Sequence, residues 1–320
     1  MNRPFALLLA LLCASVSVAS ACSAEPSQWV QFKLEPAHRG GGAVQASFRS
    51  QDRPNHDNNW STDFAPAELL GLDVAGFRAV GSRPLRFAIV REAGRLDCAG
   101  QGGDNYAHGN CSFATDPRFA QLLQSRGIAQ PTRDEAFALV ALNVRSDLIN
   151  TLAAARYPTP TIDQLIAMTA VGVNGAYISG LAQAGYRPTS IDSLVQFRAM
   201  NITPEYVGSF ARIGYAHMDP DELVQLKALN VTSDYVAGFQ RLGYSRIAPD
   251  ELVQLKALNV TADYVAGFER LGYRNLPVDK LVQLKALDIT PEFVQQTGVR
   301  PDANLDVDEL VQQKIFRQQR

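Results

Sequence analysis

Asp221-Glu-Leu-Val-Gln-Leu-Lys-Ala-Leu-Asn230-Val-Thr-Ser-Asp-Tyr-Val-Ala-Gly-Phe-Gln-Arg-Leu-Gly-Tyr244 recurs along the chain at a fixed step. Leu194, Leu223, Leu252, Leu281 and Leu310 each open a related segment, and successive copies lie 29 residues apart. The same step taken backwards reaches Leu165 and Ala136, so copies start at Asp134, Asp163, Asp192, Asp221, Asp250, Asp279 and Asp308. Self-similarity at such a period marks a solenoid, in which one supersecondary unit stacks on the next.

Two helices fit in each unit. Asp219 is an N-cap residue, Pro220 suits the first helical position, and Glu222 is placed to close a capping box. Thr132 with Glu135 and Thr161 with Gln164 repeat that grammar. Met218 with Leu223, Ile247 with Leu252, and Leu276 with Leu281 are spaced as hydrophobic staples. The recurring Asp falls in the first turn, where the helix dipole favours negative charge, so its repetition has a structural reason. Asn143, Gly172, Asn201, Asn230, Asn259 and Asp288 tolerate the left-handed backbone that ends a helix. A second helix follows, opened by pairs such as Thr203-Pro204 and closed by Gly185, Gly214, Gly243 and Gly272. Each unit reads as an αα-hairpin.

Leu223, Val224, Leu226, Ala228 and Leu229 cover most of the first helix, as in a helix packed on both sides. The mid-helix Gly180, Gly238 and Gly267 imply close approach between stacked units, since Gly costs about 1 kcal/mol relative to Ala there. Tyr157, Tyr186, Tyr215, Tyr244 and Tyr273 form an aromatic column. A ligand could stack on it, but a hydrophobic contact beside each helix C-cap accounts for it. Asp116-Pro117 and Gly127 share the register, so the solenoid opens with a lone second helix and closes with a lone first helix from Asp308. The polar Gln312, Gln313, Lys314 and Gln318 suit a terminal cap.

Upstream the period becomes two: Val30, Phe32 and Leu34, then Val44, Ala46 and Phe48, then Leu85, Phe87 and Ile89. Gly40 to Gly42 and Gly100 to Gly103 read as turns, and Ala65 to Leu70 as a helix. The expected fold class is α+β: a small antiparallel β domain over residues 25–115, then an all-α solenoid of 29-residue helical hairpins over 116–320.

Residues 1–24 read as an export signal, with Arg3 before an apolar core at Phe5 to Cys13 and a small-residue cleavage site at Ala19-Ser20-Ala21. That core is too short for a lasting span, and no second transmembrane candidate follows. Ala19-Ser20-Ala21-Cys22 is similar to a lipobox, which would place a lipid anchor on Cys22. Ala19 stands where a large aliphatic is usual, and plain cleavage after Ala21 or Ala24 is the other reading. Cys98 and Cys111 are then an isolated pair in an oxidising compartment, expected to form a disulfide worth about 3 kcal/mol on the loop-entropy argument.

A formal charge of −2, or −3 once Arg3 is removed, gives no electrostatic case for nucleic acid. His38, His56, His108 and His217 have no metal-ligand spacing, and no HExxH stretch, phosphate loop or GxSxG elbow occurs. Asp104 and His108 in the Gly-rich loop could belong to a small site, but solvated loop residues are the better reading. No catalytic residue, metal site or cofactor is expected.

The Leu-Val-Gln-Leu-Lys-Ala-Leu-Asn-Val-Thr-x-Asp-Tyr-Val units, with Trp60-Ser-Thr-Asp-Phe64 and the β region from Phe87 to Phe113, resemble extracytoplasmic modules of proteobacterial exported proteins. Similar modules are attached to antibiotic-sensor-type membrane zinc metallopeptidases. The resemblance implies a role in envelope sensing or assembly. This chain lacks the sensors' membrane spans and peptidase motif, so no catalytic residue carries over.

Three functions are compatible with these features. The leading one is a periplasmic or secreted interaction protein, lipid-anchored if Cys22 is modified, whose solenoid binds a protein partner of the cell envelope. The others are an accessory sensor or regulator of a membrane metallopeptidase, and a hydrolase or small-ligand-binding β domain. Candidate partner-binding residues are Arg212, Arg241 and Arg270 on successive second helices, and Gln196, Gln225, Gln254 and Gln283 on successive first helices. Stacking turns each set into a ladder on a surface of the kind solenoids use for recognition.

Overall fold

The computed structural model describes residues 28–37, 42–53, 56–298 and 307–318. The expected export signal at residues 1–24, with Cys22, His38 and Gly40, lies outside them.

Six antiparallel strands form one sheet: β1 (Gln28–Pro36), β2 (Val44–Arg53), β3 (His56–Phe64), β4 (Arg83–Arg91), β5 (Gly94–Gly103) and β6 (Tyr106–Thr115). Their order is β3-β2-β1-β6-β5-β4, so two local runs of strands are joined by the non-local β1–β6 pairing. Alternation sends Phe32, Leu34, Phe48, Phe64, Phe87 and Leu96 into one buried face and leaves the opposite face polar, as an antiparallel sheet allows.

Gly100 to Gly103 belong to β5, contrary to the expected turn. The reversal is made by Asp104 and Asn105, both left-handed (φ 54° and 61°), the residue types that a tight hairpin of primed geometry accepts. At Gly100 the need for glycine is close approach across the ladder: an added Cβ would stand 2.0 Å from the His108 carbonyl oxygen. His108 therefore lies on a strand, on the exposed face. The helix expected at Ala65 to Leu70 is only a 3-10 turn, Pro66–Glu68. Beyond it Leu70 exchanges two backbone hydrogen bonds with Ala88 and covers the β4 edge, before the short α1 (Val74–Arg78).

The repeats follow the 29-residue register. First helices are α3 (Arg133–Ala141), α5 (Ile162–Val171), α7 (Ile191–Ala199), α9 (Pro220–Ala228), α11 (Pro249–Ala257), α13 (Val278–Ala286) and α15 (Val307–Gln318). Second helices are α2 (Pro117–Ser125), α4 (Ser146–Ala154), α6 (Gly175–Gln183), α8 (Pro204–Arg212), α10 (Ser233–Gln240), α12 (Ala262–Arg270) and α14 (Pro291–Thr297). First helices stack on first helices and second on second. The two helices of a unit meet at a corner, 97° for α3 with α4 and 77° for α5 with α6.

The corner is a Schellman ending. Asn143, Asn201, Asn230, Asn259 and Asp288 all have φ between 52° and 60°. The next residue donates its amide back five positions, as from Val231 to the Leu226 carbonyl (2.8 Å) and Val260 to Leu255 (2.8 Å). Second helices end the same way, with Tyr186, Tyr215, Tyr244 and Tyr273 in that following position. The Tyr column is thus C-cap packing. It also ties units together, because the Tyr186, Tyr215 and Tyr244 hydroxyls donate to the Met218, Ile247 and Leu276 carbonyls of the next unit (2.8–2.9 Å).

A second tyrosine set does the same on the second helices. Tyr177, Tyr206, Tyr235 and Tyr264 donate to the Ile202, Val231, Val260 and Ile289 carbonyls (2.6–2.9 Å). The Lys227, Lys256 and Lys285 ammonium groups sit 4.7–4.8 Å above the rings of Tyr206, Tyr235 and Tyr264. Mid-helix glycines mark the same seam: a Cβ on Gly267 would stand 2.5 Å from Pro291 Cγ of the next unit.

Burial pushes the Tyr177, Tyr186 and Tyr244 phenols up to about 12. An ordinary phenol titrates near pH 10. A raised folded-state value makes this contribution complete below about pH 10 and lost as pH rises through about 12, since a phenolate cannot donate to the carbonyl. Helicity followed against pH should therefore hold to about 10 and fall between about 10 and 12, with phenolate absorbance appearing together with the loss. Phenolate appearing well before any loss of helicity would contradict the coupling.

The sheet and the solenoid share one core. Ala136 to Ala141 of α3 are all buried, and the Phe137 ring meets Phe48 (6.3 Å) and Phe113 (5.9 Å) of the sheet. Arg91 donates to the Val140 and Ala141 carbonyls (3.1 and 2.7 Å) at the end of α3, with its guanidinium 5.1 Å above the Phe64 ring. Glu92 accepts from the Ser146 amide (2.7 Å) at the start of α4. At the far end Lys314 of α15 donates to the Leu287 carbonyl (2.8 Å) and pairs with Asp288 (3.0 Å).

Candidate functional site

Two surfaces present repeated or converging polar groups. The first is the solenoid exterior. Arg212, Arg241 and Arg270 are all exposed at the last turns of α8, α10 and α12, one per unit. Their surroundings are of mixed sign, because the second helices carry Glu205, Asp234, Asp263 and Glu292 in their first turns. The Glu292 carboxyl lies below its ordinary range, chiefly through its own backbone amide and the Thr290 hydroxyl, with Arg270 adding to the effect. Helix-start hydrogen bonding thus dominates over the Arg strip.

Gln196, Gln225, Gln254 and Gln283 are likewise exposed on α7, α9, α11 and α13. Beside them the structure places an apolar element that the sequence reading buried. Met200, Leu229 and Leu287 are 36%, 37% and 43% exposed at the ends of their helices. Packing on both sides therefore leaves one strip of α7, α9 and α13 open, where a Gln is paired with a large exposed apolar side chain; in α11 the equivalent Leu258 is half-buried.

The second surface is the polar face of the sheet, which carries an open concavity of about 570 Å³. Asn59, Arg49, Gln31 and Asn110 form one row across β3, β2, β1 and β6, and Ser61, Ser47, Lys33 and His108 form the next. Tyr106 lies beside His108 on β6, with ring centroids 5.7 Å apart, and Glu35 lines the same concavity. Alternation alone could have identified these residues as one face; the β1–β6 pairing that joins the rows was not legible. A smaller concavity of about 440 Å³ lies at the links around His217 and Arg246. Its Glu222 and Glu251 carboxylates are already taken by the Asp219 and Ala248 amides (both 2.9 Å).

Cys98 and Cys111 face each other in the β5–β6 ladder and form the expected disulfide, with S–S 2.00 Å. Among the described residues no cluster of three or more His, Cys, Asp or Glu is placed to hold a metal, and no single helix is long and apolar enough to cross a membrane. Asp104 accepts from the Gly81 amide (3.1 Å) and has a local structural role.

The fold and surfaces define an α+β protein in which a disulfide-linked antiparallel sheet caps one end of a helical-repeat solenoid. No protein-family model matches the chain, and no curated protein matches it.

Proposed function

We propose that this is an exported, non-catalytic interaction protein of the bacterial envelope, with the solenoid as its protein-binding scaffold. The observation that carries the reading is the pair of exposed ladders, Arg212-Arg241-Arg270 and Gln196-Gln225-Gln254-Gln283, the second accompanied by an exposed apolar strip. Such a surface offers hydrogen bonds and apolar contact at regular spacing, which suits an extended protein partner. The buried disulfide and the signal-like first residues favour a periplasmic or secreted location, and Cys22 supplies the lipid-anchored variant.

Cross-linking capture from the native envelope tests it. Changing Arg212, Arg241 and Arg270 together to Ala should leave the fold intact, because exposed substitutions cost within about 0.5 kcal/mol each. Partner capture should fall. Unchanged capture by the folded triple variant would remove the Arg strip from the binding surface, and recovery of a membrane zinc metallopeptidase would identify the regulator role.

A further inference from the structure

Given the scaffold role of the solenoid, on which this inference rests, we propose that the exposed strip of the first helices binds a polyproline-II segment carrying a basic residue at every third position. Each of α7, α9, α11 and α13 presents the same groups in the same order at its exposed positions: an Asp, a Gln one turn on, and an Ala a turn beyond. A large apolar side chain follows at the helix end. That column runs on into α15, where Phe316 lies 29 residues beyond Leu287 and is 66% exposed. At about 1.5 Å per residue, the Asp and apolar columns stand about 12 Å apart along the helix, with the Gln column midway.

The repeat step selects the backbone. Packed helices lie about 8–10 Å apart, so a ligand that uses every unit alike must repeat at that interval. A polyproline-II helix turns once in three residues of about 3.1 Å each, about 9.3 Å, and returns the same face to each unit. A β-strand returns a side chain to one face after about 6.6–6.8 Å and is out of step by the next unit. An α-helix comes closer, at about 10.5 Å for seven residues, but its carbonyls are already bonded within it. Polyproline II leaves its carbonyls unbonded, and the Gln amide nitrogens are donors for them. Among the described residues the Gln196, Gln225 and Gln254 side chains take no hydrogen bond. The Gln283 Oε1 accepts from Lys280 (3.5 Å), which leaves its nitrogen to donate.

Charge sets the basic position. Asp192, Asp221, Asp250 and Asp279 are exposed along one edge of the strip, whereas every Lys and Arg of these four helices is half-buried. Lys227, Lys256 and Lys285 are drawn onto tyrosine rings. Asp192 accepts from Gln164 (3.1 Å), and Asp221, Asp250 and Asp279 form no ion pair among the described residues. The strip is therefore acidic, and an acidic segment is repelled from it. In a repeated Pro-Leu-Lys segment the Lys edge faces the Asp column while the Leu edge lies on the apolar column. The Pro fixes the backbone in shape before binding, which limits the entropy lost.

Fluorescence anisotropy of a labelled peptide of five Pro-Leu-Lys triplets, titrated with the full chain, decides the matter. The peptide should bind at least tenfold more tightly than a permuted peptide of the same composition without the three-residue period, and than its Pro-Leu-Glu counterpart. Gln225→Ala with Gln254→Ala, and separately Leu229→Ser with Leu287→Ser, should each weaken binding at least tenfold at an unchanged melting temperature. Absence of binding by the Lys peptide overturns the proposal. So does equal binding of the permuted or the Glu peptide, or full affinity in both folded double variants. Partner capture from the envelope by a protein that binds no peptide would reject this segment and keep the scaffold role; peptide binding without any capture would support the strip and count against an envelope partner.

Discussion

Phe137→Ala should cost about 3–5 kcal/mol, the range for truncating a fully buried aromatic. Phe137 is 3% exposed and is wedged between the Phe48 and Phe113 rings at near-perpendicular angles. Ala leaves a void where the first repeat helix meets the sheet, and neither side can close it easily. The sheet is held by its ladder, while α3 is fixed by the Arg91 hydrogen bonds to its last carbonyls. A repeat array also needs its terminal unit covered, and here the sheet is that cover. The variant should therefore denature in two steps, the sheet and the helices separating, where the parent protein shows one. Denaturant melts followed by near-ultraviolet and far-ultraviolet circular dichroism resolve this. A loss below about 1 kcal/mol with coincident transitions would mean that the junction is held elsewhere.

The wedge had a visible mark in the sequence. In the later copies the first helix runs Leu-Val-Gln-Leu-Lys-Ala-Leu, and in the copy at Ala136 the Gln and Lys positions hold Ala138 and Val140. Losing both polar positions at once is what burial on all sides requires, and both residues are buried. The caps and helix ends were legible because they depend on local chemistry: an oxygen at the N-cap, and a residue tolerant of positive φ at the corner. The Cys98–Cys111 pairing was legible by elimination.

Non-local features were harder to read. The strand order requires β1 to find β6 across about eighty residues, and alternation alone carries no partner information. Gly100 to Gly103 looked like a turn because glycine has two uses, left-handed backbone and close packing, and here the second applies. Leu229 looked buried by its residue type, yet one helix in a stack has two neighbours and an open side. The candidate sites divide along the same line. The ladders could be projected from the period, whereas the sheet-face concavity needs β1, β2, β3 and β6 assembled side by side.

Replacing Cys98 and Cys111 together by Ala should cost about 2–5 kcal/mol, the usual loss when a small domain gives up a native disulfide. The two Cα positions are directly opposite in the β5–β6 ladder, and the bond closes a chain separation of 13 residues. A loop of that size accounts for about 3 kcal/mol through the unfolded chain alone. Cys98 and Cys111 are 3% and 0% exposed, so Ala also removes buried volume from beneath the sheet and pushes the loss above the entropic figure. The sheet buries a modest core of its own, and a loss of this size should be seen first there. Because Phe137 joins sheet and solenoid, weakening the sheet should lower the melting temperature of the whole chain. Urea denaturation of parent and double variant measures the difference, and mapping of unreduced peptides from native material should recover the linked fragments. Equal stability of the two proteins, or free thiols at both positions, would show that the bridge does not restrain the native hairpin.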